Sequence, residues 1–176
     1  MLAQQDLKRM LAFSTIEDMG YLIFGVTAGG QLGLGGAYLG LTVHALAKAL
    51  LFSSLAYVEA GIPLTLKSRG LMSRYPWSGM GFLVGALAMH GIPPLAGFGA
   101  RWQLYEVATQ MGLPFLGVLL LATAFAVLSY ARVIALYWWG PTDESKKREP
   151  ILLAAALGGL CIVLLSIGLW PGFLIG

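Results

Sequence analysis

Ser78-Gly-Met-Gly-Phe-Leu-Val-Gly-Ala-Leu-Ala-Met-His90-Gly-Ile-Pro93-Pro94-Leu-Ala-Gly97-Phe-Gly-Ala-Arg101-Trp-Gln-Leu-Tyr-Glu106-Val-Ala-Thr-Gln110 is the stretch whose reading decides the fold. Its first part, Gly79 to Met89, is apolar, and its last part is amphipathic with Arg101 and Glu106. Neither half comfortably reaches the roughly 20 residues that a bilayer crossing needs. Proline lacks an amide hydrogen and its ring clashes with the carbonyl four residues earlier. Pro93 and Pro94 therefore free the carbonyls of Met89 and His90, and the stretch reads as one span broken at Gly91–Gly97.

Outward from this segment, apolar runs long enough to cross a membrane fall at Met10 to Ala28, Ala37 to Ala60, Leu113 to Trp139 and Ile151 to Ile175. Charge placement supports counting the broken stretch once, because cytoplasmic loops collect Lys and Arg. Lys8 and Arg9, then Lys67, Arg69 and Arg74, then Lys146, Lys147 and Arg148 hold all but three of the 11 basic residues. The loops read between Gly29 and Gly36 and around Gln110 to Pro114 hold none. With one broken span every basic loop lies on one side; with two, the last would flip outward. The expectation is an all-α membrane protein of about five transmembrane helices, a single transmembrane domain over residues 1–176. Its N-terminus is cytoplasmic and its C-terminus outside, in the cell (inner or plasma) membrane. Met1 to Arg9 carry no cleavable signal pattern.

Composition agrees. Of 176 residues 58% are hydrophobic and 11% charged, against about 25% charged in soluble domains. The net charge of +3 sits in membrane loops, which argues for the lipid bilayer and against nucleic acid as a partner. Cys161 alone forms no internal disulfide or cysteine cluster and reads as a small packed hydrophobe. Neither a G-x-G-x-x-G turn nor a nucleophile-base-orienter set appears, so no cofactor is expected and electron chemistry belongs to other chains.

Three basic residues remain inside spans. Arg132 lies near a helix end, from which its side chain snorkels. Lys48 is mid-span, where a charge costs roughly 3 kcal/mol and needs a partner or a water-filled cavity. His44 is four residues before it and Glu59 eleven after, so all three project from nearly one face. Histidine exchanges protons near neutral pH, and a lysine taken out of water becomes able to do so, which makes this row a candidate proton relay. Interhelical hydrogen bonding is the alternative. On the first helix Ser14, Glu17, Asp18 and Tyr21 form one stripe; its carboxylates either meet Lys48 or Arg101 or complement the helix dipole. His90, at the break, either carries a proton or caps the interrupted helix. Glu106 reads as an interfacial charge.

Asp6-Leu-Lys-Arg-Met-Leu-Ala-Phe-Ser-Thr-Ile16, His44-Ala-Leu-Ala-Lys48-Ala-Leu-Leu-Phe52 and Gly91-Ile-Pro93-Pro94-Leu-Ala-Gly97-Phe98 together resemble the antiporter-like subunits of respiratory complex I, Mrp cation/proton antiporters and membrane-bound hydrogenases. The resemblance implies a proton (or cation/proton) translocating subunit of a redox-driven or antiporter complex, with Lys48 central and His44 its relay partner. H+ is the implied cargo, with Na+ open beside it. Such a chain is at most a non-catalytic membrane subunit of an NADH:quinone oxidoreductase-like or hydrogenase-like assembly. The family position that commonly holds Lys or Glu is here Arg101, which does not release its proton. Family members contain two inverted repeats, and this chain matches only the later half. The partners implied are other membrane subunits, including a chain that supplies the missing first half. A structural scaffold subunit, or a truncated fragment without transport of its own, is the competing reading.

Overall fold

The computed structural model describes all residues except 5, 63, 65–67, 142–144 and 171–176. Lys67 and the end of the last apolar run therefore lie outside the described residues. The first helix, α1 (Leu7–Ala28), starts where the Asp6 carboxylate accepts the amide of Arg9 at 3.1 Å, so that one of the orphan donors of the first turn is satisfied. It ends at Gly29, and α2 (Gly30–Gly61) begins at the next residue. Both glycines have positive φ, +68° and +66°, a corner that side chains with a Cβ rarely adopt.

That corner corrects one expectation. The glycine-rich stretch from Gly29 to Gly36 reads as a loop, yet it is helical from Gly30. Glycine is a poor helix former, but here its small size wins. A Cβ on Gly33 would stand 2.6 Å from the Gly25 carbonyl oxygen, so the two backbones meet in the way small residues allow in membrane helix pairs.

After the short α3 (Leu71–Arg74) come α4 (Pro76–Met89) and α5 (Gly97–Met111). The break is where the prolines place it, over residues 90–96. Its polar backbone is reassigned locally: Gly91 N–H donates to Ala88 O (3.2 Å), Ile92 N–H to Leu87 O (3.1 Å) and Leu95 N–H to Ile92 O (3.1 Å). Leu95, Ala96 and Gly97 are buried, whereas Ile92, Pro93 and Pro94 are exposed. A Cβ on Gly97 would run into the Ala88 carbonyl oxygen, which lets α5 begin directly against the end of α4. One bond leaves the segment altogether, from Ala96 N–H to Leu164 O at 3.0 Å.

The last two long helices are α6 (Leu113–Val133), which runs on through a π-helical turn at Ile134–Trp138, and α7 (Ile151–Leu169). α2 is the hub, packed on α1, α4, α5 and α7, while α6 leans on α1 and α5. Leu39, Ala47, Leu50, Leu51 and Val58 of α2 are fully buried, and Phe82 stacks on Trp138 at 4.9 Å. The outside is apolar: Ile16, Ile23, Val118, Leu121, Ile151, Leu152 and Ile162 are exposed. Gly30–Gly61, Leu113–Trp138 and Ile151–Leu169 are each long and apolar enough to cross a membrane. With an apolar exterior, only helices among the long elements of the described residues, and a few polar side chains buried in an apolar core, the chain is an all-α membrane protein.

The charged segments gather at one end of this bundle. Lys8 pairs with Glu59 at 2.5 Å. The backbone of Lys147 donates to Arg74 O at 3.0 Å. The Glu149 carboxylate accepts from Trp77 N–H (2.8 Å), Ser78 N–H (2.9 Å) and Ser78 Oγ (2.5 Å) at the start of α4. An acidic cap there matches the unpaired amides and positive end of a helix dipole.

Candidate functional site

The stripe read on α1 faces inward: Ser14 is fully buried, Asp18 and Tyr21 nearly so. Opposite it α2 presents His44 and Lys48, and the start of α5 presents Arg101. These side chains make two neighbouring clusters, one around Lys48 and one around Asp18.

Lys48 is 7% exposed. Its ammonium group donates to Leu11 O at 2.6 Å and, by a shorter contact, to Ser14 Oγ. Ser14 Oγ in turn donates to Leu11 O (2.9 Å) and lies 2.8 Å from the Tyr130 hydroxyl. The Phe52 ring lies 6.0 Å from Nζ. A charge in this position survives because backbone and hydroxyl oxygens replace its water.

Asp18 bridges His44 and Arg101. Its Oδ2 accepts from His44 Nδ1 at 2.8 Å and its Oδ1 from Arg101 Nη2 at 2.6 Å. Arg101 is 6% exposed and also reaches Glu17 Oε1 (3.5 Å) and Met89 O (3.2 Å), while its guanidinium lies 3.7 Å from the Tyr21 ring centroid. It thus satisfies a carbonyl freed by the helix break, two carboxylates and an aromatic face at once, a use of the planar fork that lysine cannot match. A cavity of about 20 Å³, room for roughly one water molecule, opens between Asp18, Tyr21, His44 and Arg101.

Each residue named from the sequence has a definite place. Glu17 and Asp18 meet Arg101, the second of the two partners open to them. The bond of His44 runs across to Asp18 instead of along α2 to Lys48. His90 Nδ1 donates to Ala86 O at 2.6 Å, the capping role, and its ring stands edge-on to Tyr130 at 4.6 Å. Gly91, Pro93 and Pro94 lie in the break, and Gly97, placed in it by the sequence, is instead the first residue of α5. Glu59 is not brought to the others: eleven residues at 1.5 Å rise put it about 16 Å along the helix from Lys48, where it meets Lys8. Glu106 is exposed, and the Arg132 guanidinium reaches the Leu2 carbonyl. Tyr130 was not legible as a site residue; the polar run Ser129-Tyr130 in an otherwise apolar helix is its one signal. Among the described residues no three His, Cys, Asp or Glu side chains converge to hold a metal ion.

The profile of the family described as NADH:quinone oxidoreductase/Mrp antiporter, transmembrane, matches residues 1–126, which contain the break, Lys48 and both charged clusters apart from Tyr130. The chain belongs to this family. NADH-quinone oxidoreductase subunit N of Geobacter metallireducens is 32% identical, the match covering 97% of this chain and 38% of that protein. A chain of respiratory complex I from Thermus thermophilus with bound aureothin is 29% identical at a TM-score of 0.78, over 99% of this chain and 40% of that one. The membrane-bound sulfane sulfur reductase, an archaeal respiratory membrane complex, contains a chain of the same fold, with a TM-score of 0.88, 24% identity, and 99% and 36% coverage. This NADH:quinone oxidoreductase/Mrp antiporter family member therefore spans well under half the length of the relatives it matches.

Proposed function

We propose that this chain is a proton-translocating membrane subunit of a redox-driven or antiporter complex, in which Lys48 and His44 carry the proton. The reading rests on one observation above others: an amine buried in the middle of α2, bonded only to Leu11 O and Ser14 Oγ among the described hydrogen bonds, with an imidazole one turn away whose Nδ1 is held by Asp18. His44 and Asp18 line the water-sized cavity, which gives a proton a place to leave the pair. Arg101 acts as a fixed charge that sets the field around Asp18 and Lys48, because a guanidinium keeps its proton. Glu17 lies within the same field and His90 at the foot of the break.

The partners in this reading are other membrane subunits, one of which supplies the half of the fold that longer relatives carry. The cargo is H+, with Na+ as the alternative to be tested by replacing the bath cation. The end of the bundle that gathers Lys8, Arg74 and Lys147 faces the cytoplasm, which puts the N-terminus inside and the C-terminus outside.

The test is proton flux in vesicles holding the assembled complex, normalised to assembled chain. Lys48→Ala abolishes flux, and Lys48→Arg impairs it because arginine holds its proton. If these side chains were interhelical glue alone, Lys48→Ala would lose assembly while Lys48→Arg, which keeps charge and donors, would transport normally. Wild-type flux per complex in both variants overturns the relay.

A further inference from the structure

Tyr130 reaches the lysine cluster from α6, outside the residues the family profile covers, and is itself only 2% exposed. Its hydroxyl has one partner among the described hydrogen bonds, Ser14 Oγ at 2.8 Å. A serine oxygen has one hydrogen to give and two lone pairs with which to accept. With Lys48 as an ammonium, the Ser14 hydrogen goes to Leu11 O, and its lone pairs take one N–H from Lys48 and the O–H from Tyr130. Both hydroxyl hydrogens and two of the three ammonium N–H groups are then used.

When Lys48 has given up a proton, its nitrogen carries a lone pair and needs a donor. The Ser14 hydroxyl supplies one by rotating from Leu11 O to Nζ, while a remaining Lys48 N–H continues to hold Leu11 O. Tyr130 keeps donating to Ser14 throughout, which anchors the oxygen and leaves its hydrogen free to turn. No heavy atom has to move between the two states. We propose that Tyr130 is a positioning residue for the Lys48 relay: through Ser14 it builds a hydroxyl rotor that satisfies Lys48 in both charge states. This rests on the transport reading of Lys48 given above. The other charged or titratable groups that face the cluster are Glu17 and Asp18 from α1, His44 from α2, His90 from α4 and Arg101 from α5, and none of them is bonded to Ser14 among the described hydrogen bonds.

The bond is removed from each side in turn, by Tyr130→Phe and Ser14→Ala, with Lys48→Ala alongside. Phenylalanine keeps the ring that packs on Phe82 and His90, so assembly is expected to match wild type. Flux per assembled complex is expected to fall about tenfold in Tyr130→Phe, the scale of one lost buried hydrogen bond, and its pH profile to be displaced. Ser14→Ala, which removes the rotor itself, is expected to lose at least as much. A structural hydroxyl would change assembly yield or melting temperature and leave both flux per complex and pH profile where they were. Should Tyr130→Phe fail to assemble, Ser14→Ala decides. An inactive Lys48→Ala with wild-type flux and pH profile in the other variants overturns the rotor and leaves the relay standing; wild-type flux in Lys48→Ala overturns both.

Discussion

Replacing Arg101 by Met is the most direct test of how the interior charges are held. Methionine fills most of the aliphatic volume and removes the guanidinium, leaving Asp18 and Glu17 buried with the His44 imidazole as the remaining side chain bonded to Asp18. The bond to Asp18 at 2.6 Å is charge-assisted and contributes roughly 1.5–3 kcal/mol. The guanidinium over the Tyr21 ring at 3.7 Å adds about 2 kcal/mol where water is excluded. At 3.5 Å the bond to Glu17 is at the limit of hydrogen-bond geometry and contributes little more than field. The expected loss is about 3–5 kcal/mol, the range found when one partner of a buried ion pair is deleted. Arg101→Lys keeps the charge but loses the fork and the stacking surface, so about half that loss is expected. Thermal unfolding of the chain in detergent reads the change, and Asp18→Asn combined with Arg101→Met isolates the pair. A coupling of at least about 1 kcal/mol is expected. Strict additivity in that cycle, or an Arg101→Met protein as stable as wild type, refutes the clamp.

Two further outcomes are expected. Glu149→Gln loses the charge that caps α4, which costs roughly 1–2 kcal/mol; amide exchange at Trp77 and Ser78 should accelerate while that at α2 stays slow, and unchanged exchange at those two amides would sink the cap. Single cysteines at Ser68, Ser145 and Gln31 should report two cytoplasmic sites and one external site to an impermeant thiol reagent, and labelling of Ser145 and Gln31 from the same face contradicts the single broken span.

What the sequence makes legible follows from local rules. The break at residues 90–96 is visible because two prolines cancel helix bonds wherever they occur, and the inward stripe of α1 is visible because helical periodicity is fixed. The partner of each charge is not local. Periodicity leaves Glu17 and Asp18 open to Lys48, to Arg101 or to a helix-dipole role, and the choice is made by how α5 restarts beside α4, which delivers Arg101 to α1. Glu59 shares the face of Lys48 in angle but not in height, a distinction that a helical wheel erases. Tyr130 reads as one more aromatic in an apolar helix, since its bond to Ser14 joins residues at opposite ends of the chain. The early start of α2 escapes because glycine propensity is a weak prior that close backbone packing overrides.

The bond from Ala96 N–H to Leu164 O has a consequence for biogenesis. Hydrocarbon provides no substitute acceptor for a bare amide, and α7 also fits the break so closely that a Cβ on Gly168 would enter the Pro94 carbonyl. Residue 164 leaves the ribosome long after residue 96. During synthesis the interrupted segment must wait, shielded by water or by the insertion machinery, until α7 arrives to complete it. A ribosome stalled before α7 would release a chain whose Ala96 amide lacks the acceptor that α7 supplies.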